Sequence, residues 1–239
     1  MSIWKRLAAA TSNLTIGSPI AGLLAGDREA QDAPNRLELS EQADNEVPFT
    51  LGIIALSAKM AKADGHVTRD EVEAFKDAFK VSPGEMKDAA RAFNLAKRDA
   101  TGYEVFAAEL VELFKGNRKL LEDVLEGLFH IAKADEEVHP REEQFIDQVA
   151  KLFGFTDAEF SHIKARHVVA AKRNPYEALG VDSSISNEDL KSHYRRLVAD
   201  NHRDKLLARG VPVEFVTIAT EKVATITAAY EAIAKERSI

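Results

Sequence analysis

Four times between residues 48 and 173 a Ser or Thr stands three positions ahead of a glutamate, close to an apolar run. The pairs are Thr68/Glu71, Ser82/Glu85, Thr101/Glu104 and Thr156/Glu159. That spacing is the capping box, in which each side chain satisfies the other residue's orphan backbone N–H, and it marks the first turn of an α-helix. Pro83 follows Ser82 where a first helical turn tolerates a residue without an N–H. Within these segments, Val72/Phe75/Phe79, Phe106/Leu110/Leu113 and Leu121/Leu125/Leu128 recur every three or four residues, as one face of a helix does. The pattern predicts seven helices, over 48–63, 69–80, 83–98, 102–115, 118–134, 140–153 and 157–171. Short connections make most neighbours antiparallel, in a compact bundle. The expected fold class is all-α, which the scarcity of Gly and Pro (12 and 7 residues) also favours.

The bundle carries an internal repeat. Residues 61–71 align with 132–142 at six of eleven positions, offset by 71. Each copy is the end of one helix, a turn and the start of the next. Asp64, Glu71, Asp135 and Glu142 therefore invite a metal reading, since four carboxylates brought together by a pseudo-twofold offer hard oxygen ligands to Ca²⁺ or Mg²⁺. The competing reading is local: Asp64 and Asp135 bond within their turns, and Glu71 and Glu142 cap the helices that follow. An EF-hand is excluded, because its ligand ladder is missing. His66, His130, His139, His162 and His167 lack the spacing of a histidine metal site and are read as surface or core residues.

Outside the bundle, Leu7–Gly26 holds no charge, but Thr11, Ser12, Asn13, Thr15, Ser18 and Pro19 dilute its apolar character. It is read as a tail, loose or docked, with membrane association and a cleaved signal as the alternatives. Asp27–Val47 is polar and acidic, and is expected to be a flexible linker. The divisions expected are thus 1–26, 27–47, a bundle over 48–173 and a small helical module over 174–239. In that module a capping pair, Ser186/Asp189, opens a helix whose Leu190, Tyr194 and Leu197 share a face. A second helix follows Pro212, with Phe215, Ala219, Val223, Ile226, Tyr230 and Ile233 as its seam. Between them lies Asn201-His202-Arg203-Asp204-Lys205, at the tip of a hairpin with a basic flank.

The net charge of −7 argues against generic nucleic-acid binding, and the absence of Cys excludes disulfides, thiolate metal sites and a cysteine nucleophile. No phosphate-binding loop, nucleophile elbow or dinucleotide fingerprint occurs, so no enzymatic chemistry and no organic cofactor is expected.

Residues 174–239 resemble the J-domain of DnaJ-type co-chaperones. The resemblance lies in Asn174-Pro175-Tyr176-Glu177-Ala178-Leu179-Gly180-Val181, Tyr194-Arg195-Arg196-Leu197, the His202/Asp204 loop and Ala229-Tyr230-Glu231, all in family order. The insertion Leu206–Pro212 is similar to that of the DjlA-type subgroup, and the repeat at 61–71 and 132–142 resembles the TerB-type domain that precedes the J-domain there. The resemblance implies a DnaK-type chaperone ATPase as partner, stimulated by the J-domain on behalf of client proteins. It implies contact through Lys191, Tyr194, Arg195, Arg196, His202, Arg203, Asp204 and Lys205; the location expected is cytoplasmic, with attachment at the inner face of the membrane through residues 1–26, a shortened counterpart of the subgroup's N-terminal anchor, as the alternative. One position departs from the family loop, which reads His-Pro-Asp: Arg203 replaces a proline that fixes φ and pre-sets the loop. Two alternatives stay open, an interaction scaffold that binds without stimulating, and a metal- or stress-responsive protein acting through the bundle.

Overall fold

In the computed structural model, residues 2–9, 20, 23, 41–64, 69–98, 102–133, 138–167 and 174–239 are described. They form α1 (Ile3–Ala9), α2 (Glu41–Asp64), α3 (Arg69–Ala78), α4 (Met86–Arg98), α5 (Tyr103–Leu113), α6 (Arg118–Ala132), α7 (Pro140–Leu152) and α8 (Asp157–His167). The C-terminal part adds α9 (Pro175–Leu179), α10 (Asn187–Asp200), α11 (Arg203–Ala208), a 3₁₀ turn (Val213–Phe215) and α12 (Val216–Glu236). No strand occurs among the described residues, and the chain is all-α.

Two helices organise the bundle. Every residue of α2 from Val47 to Ala61 is buried, and a helix buried on all sides belongs at the centre. It packs on α4, α5 and α6. The second, α6, buries Leu120, Leu121, Val124, Leu125, Leu128 and Phe129, and its Gly127 lets a neighbour come close. A Cβ there would stand 2.8 Å from Ile53 Cδ1 and 3.1 Å from Phe215 Cε1.

Helix starts follow local chemistry. Glu159 Oε2 accepts from Thr156 N–H at 2.8 Å, while Thr156 Oγ1 accepts from Glu159 N–H at 3.3 Å, closing the predicted box of α8. At α7 the box is His139/Glu142, with Glu142 Oε2 accepting from His139 N–H at 2.9 Å. Ser82 N–H donates to Glu85 at 3.2 Å, but regular helix begins only at Met86. Gly102 caps α5 without a side-chain bond. Thr68 and Thr101 lie outside the described residues.

The expected linker over 27–47 is corrected at its far end: residues 41–47 are the first turns of α2, and Pro48 lies inside the helix. The sequence pattern starts the helix at Pro48, and a proline lacks the N–H that a position inside the ladder needs. Tertiary contacts override it. Val47 and Phe49 are buried, Asn45 Nδ2 donates to Arg209 O at 3.3 Å, and Glu46 pairs with Arg6 at 3.1 Å. The charge-free N-terminal stretch is also represented in the core, through Leu7, Ile20 and Leu23, beside Ile3 and Trp4. Trp4 meets Phe79 edge-on at 6.0 Å, and Ile3 N–H donates to buried Glu214 at 2.9 Å. No helix among the described residues is long and apolar enough to cross a membrane.

Among the described residues the apolar interior forms two clusters, and α12 belongs to both. Leu206, Val211, Phe215, Ile218 and Ala219 lie in the large core with the bundle and α1. Ile226, Ala229 and Ile233 lie in a small core with Ala165, Ala178, Leu179 and Leu190. Phe215 sits between Phe49 and Phe79, at ring distances of 5.2 and 4.8 Å. The chain therefore crosses from one core to the other between Leu190 and Leu206, and the loop at 201–204 lies within that crossing.

Candidate partner-binding surface

Ser186 Oγ accepts from Asp189 N–H at 3.1 Å and starts α10. One face of this helix is packed: Leu190 is fully buried, and Tyr194 stacks on Tyr230 at 4.2 Å with its hydroxyl 3.3 Å from Thr227. Contacts between Tyr194 and Thr227 and between Asn187 and Arg237 show that α10 and α12 run antiparallel. The opposite face exposes Lys191, Arg195 and Arg196, with Arg196 Nη2 2.9 Å from His193 Nδ1.

At the end of α10 the chain turns on Asn201, which is buried and donates from Nδ2 to Leu197 O at 2.8 Å. His202 is the N-cap of α11, its Nδ1 accepting from Asp204 N–H at 3.3 Å. The imidazole also stands 3.7 Å from the Asp204 carboxylate, and the two side chains are 65% and 85% exposed. Arg203 is exposed at the first helical position of α11. An N–H at that position has no intrahelical partner, so a proline and an arginine satisfy the ladder equally well there. Lys205 Nζ pairs with Asp200 at 3.0 Å, and Lys119 of the bundle pairs with the same carboxylate. The tip is thus an exposed His/Asp pair flanked by cations on a packed hairpin.

Beneath it, a buried charge network joins bundle and hairpin. Glu126 of α6 accepts from Arg166 Nε at 2.9 Å and Nη2 at 2.6 Å, lies 2.6 Å from His167 Nε2, and lies 3.1 Å from Lys222 of α12. Glu122 accepts from Arg166 at 2.7 Å and from Lys222 at 2.9 Å. Burial pushes the Glu126 carboxyl up, but Arg166, Lys222 and His167 outweigh it and hold the group well below the usual carboxylate range. Glu122 is lowered too, its burial offset by Lys222 and Arg166. Burial pushes the His167 imidazole down more than Glu126 draws it up, and its ring stacks on Phe129 at 4.8 Å. Nearby, Asp123 accepts from Arg209 Nε at 2.8 Å, and burial pushes its carboxyl up to about 6 against the pull of Lys222 and Arg209.

With this geometry in place, similarity to known proteins is informative. The family described as Tellurite resistance protein TerB matches residues 50–165, the bundle from α2 to α8. A protein of Photobacterium profundum named Co-chaperone protein DjlA is 28% identical over 220 residues, covering 81% of this chain and 79% of its own. Another Co-chaperone protein DjlA, from Vibrio cholerae, is 30% identical over 234 residues, covering 83% of this chain and 81% of its own. The chain belongs to the DjlA family. The Coxiella burnetii member is 28% identical over 200 residues, covering 75% of this chain and 74% of its own. No solved structure matches the chain.

The positions that the J-domain resemblance singled out are spread over a face and an interior of this DjlA family member. Lys191, Arg195, Arg196, His202, Arg203, Asp204 and Lys205 are exposed together on α10 and the tip, whereas Tyr194 turns its ring into the small core. Among the carboxylates weighed as metal ligands, Glu142 is buried and engaged in the α7 cap, and the side chains of Asp64, Glu71 and Asp135 lie outside the described residues. Among the described residues no group of three or more His, Asp or Glu is arranged to hold a metal ion. Sequence reasoning missed the ion network. Arg166, in the last turn of α8, is buried. The one available signal was the pair Glu122/Glu126, four residues apart within the apolar run of α6.

Proposed function

We propose that the protein is a co-chaperone whose C-terminal hairpin docks on a DnaK-type chaperone ATPase and raises its rate of ATP hydrolysis. The observation that carries this reading is the tip itself: His202 and Asp204 side by side and exposed, with Lys205 next to them on α11 and Lys191, Arg195 and Arg196 exposed along α10, a helix packed from behind. Such a cationic face attracts an acidic partner at long range and raises the encounter rate, an effect that added salt weakens. His202 and Asp204 then supply oriented polar contacts that favour the hydrolysis-competent state of the partner, which makes the chain an allosteric activator and not a catalyst. Membership of the DjlA family supports the same reading.

Arg203 decides how strong the output is. Proline at this first helical position meets no hydrogen-bond penalty, so Arg203→Pro is expected to fold and to gain about 0.4–1 kcal/mol by narrowing the unfolded ensemble. The experiment is single-turnover ATP hydrolysis by a DnaK-type chaperone with the wild type and with Arg203→Pro. Stimulation by both proteins, abolished by His202→Gln, is the expected result. Stimulation by the proline variant alone favours a scaffold that binds without activating, a role to which the exposed cation at 203 is suited. Silence from both, with no binding of the chaperone, rejects the reading.

A further inference from the structure

The tip is held by more than its own sequence. Arg209, at the end of α11, reaches with Nε and Nη2 to Asp123 of the bundle (2.8 and 2.7 Å) and with Nη1 to the Asp200 carbonyl at the end of α10 (2.9 Å). One guanidinium thus ties together the helix before the tip, the helix after it, and α6. It is largely buried, 13% exposed against 9% for Asp123. Its own backbone carbonyl accepts from Asn45 of α2. Asn201 and Leu206, on either side of His202–Lys205, are both buried, Leu206 in the large core. The exposed tip is therefore short and pinned at both ends, with Asp123 of the bundle and the large core holding its far side.

From this geometry we infer that Arg209 is a positioning residue for the His202/Asp204 tip, with Asp123 as its fixed support. The clamp supplies, through tertiary contacts, the rigidity that a proline at 203 would supply locally. The inference rests on the proposed docking role of the tip, and it makes the bundle a working part of that docking surface. Arginine is needed because its planar fork reaches a carboxylate and a carbonyl at once; a lysine keeps the charge beside Asp123 but offers a single point of attachment.

The test is amide hydrogen exchange on the full chain, for the wild type, Arg209→Lys, Asp123→Asn, and Arg209→Lys combined with Arg203→Pro. Loss of the clamp should speed exchange at Asp204–Leu206 roughly tenfold or more, while amides of Leu190–Leu197 and Ile226–Ile233 keep their protection. Adding Arg203→Pro should return much of the lost protection. ATP hydrolysis by the DnaK-type chaperone is read in parallel, and stimulation should fall in Arg209→Lys and recover in the double variant. Unchanged exchange at the tip in Arg209→Lys overturns the inference, and so does a loss spread evenly through the small core. Silence of the chaperone with every variant counts against the docking reading, whereas the exchange data still decide the clamp.

Discussion

Replacing Glu126 by glutamine keeps the shape of the side chain and removes one charge from a balanced set. Around it, two buried cations, Arg166 and Lys222, face two carboxylates, Glu122 and Glu126, and the Glu126 side chain is only 4% exposed. Glutamine retains one accepting oxygen, but its NH₂ faces a cation or the His167 ring in place of the second oxygen. Breaking one partner of a buried pair costs about 3–5 kcal/mol, because the remaining charge stays desolvated. At roughly 2–4 °C per kcal/mol for a chain of this size, the melting temperature should fall by about 6–20 °C. Trp4 is the single tryptophan of the chain and is buried against Phe79, so its fluorescence during urea unfolding reports the loss directly. Adding Lys222→Met restores the balance and should recover most of the stability. The sign of the pH dependence is fixed by the lowered folded pKa. The Glu126 contribution is complete above its ordinary value of 4.5 and disappears as pH falls through the lower folded value. The gap between wild type and Glu126→Gln should therefore be widest near neutral pH and close in acid. A loss under about 1 kcal/mol, or a double variant no better than the single one, would refute the account of the network.

Two further outcomes follow from the packing and the caps. Phe215→Ala empties a site between Phe49 and Phe79 and should cost about 3–5 kcal/mol in urea unfolding, with altered Trp4 fluorescence; an effect confined to the C-terminal hairpin would contradict the shared core. The Glu159 carboxyl is held down to about 2 by the bonds from the Thr156 backbone and side chain, with Arg118 adding to them. Its lowered folded pKa means a contribution complete above pH 4.5 and lost between there and pH 2. Because the side chain is 42% exposed, solvent screening limits that contribution to the scale of a cap, about 1 kcal/mol. Glu159→Gln should reveal it as a difference in urea midpoint that vanishes in acid.

Capping chemistry is local, and that is why α7, α8 and α10 could be placed from the sequence to within a residue or two at their starts. The all-α class and the DjlA family were legible for the same reason, since helical periodicity and short motifs are properties of neighbouring residues. Where a distant contact overrode a local rule, sequence reading failed. The residues just before Pro48 look like the end of a linker, yet Arg6, Arg209 and the large core hold them as the first turns of the central helix. The ion network was hidden more deeply. Glu126 meets Arg166 from 40 residues away and Glu122 meets Lys222 from 100 residues away, and nothing in either neighbourhood names the other.

The sequence by itself determined most of the bundle helices, the caps of α8 and α10 and the charged tip at His202–Lys205, because hydrogen bonding within a turn and the period of apolar residues act over a few positions. Only the tertiary structure decided what holds that tip. Phe215 and Leu206 enter the large core, Ile226 and Ile233 enter the small one, and Arg209 finds Asp123 across the boundary. Those choices depend on which buried charges and apolar faces meet when the chain is closed, and burial is a property of the whole molecule, not of any segment.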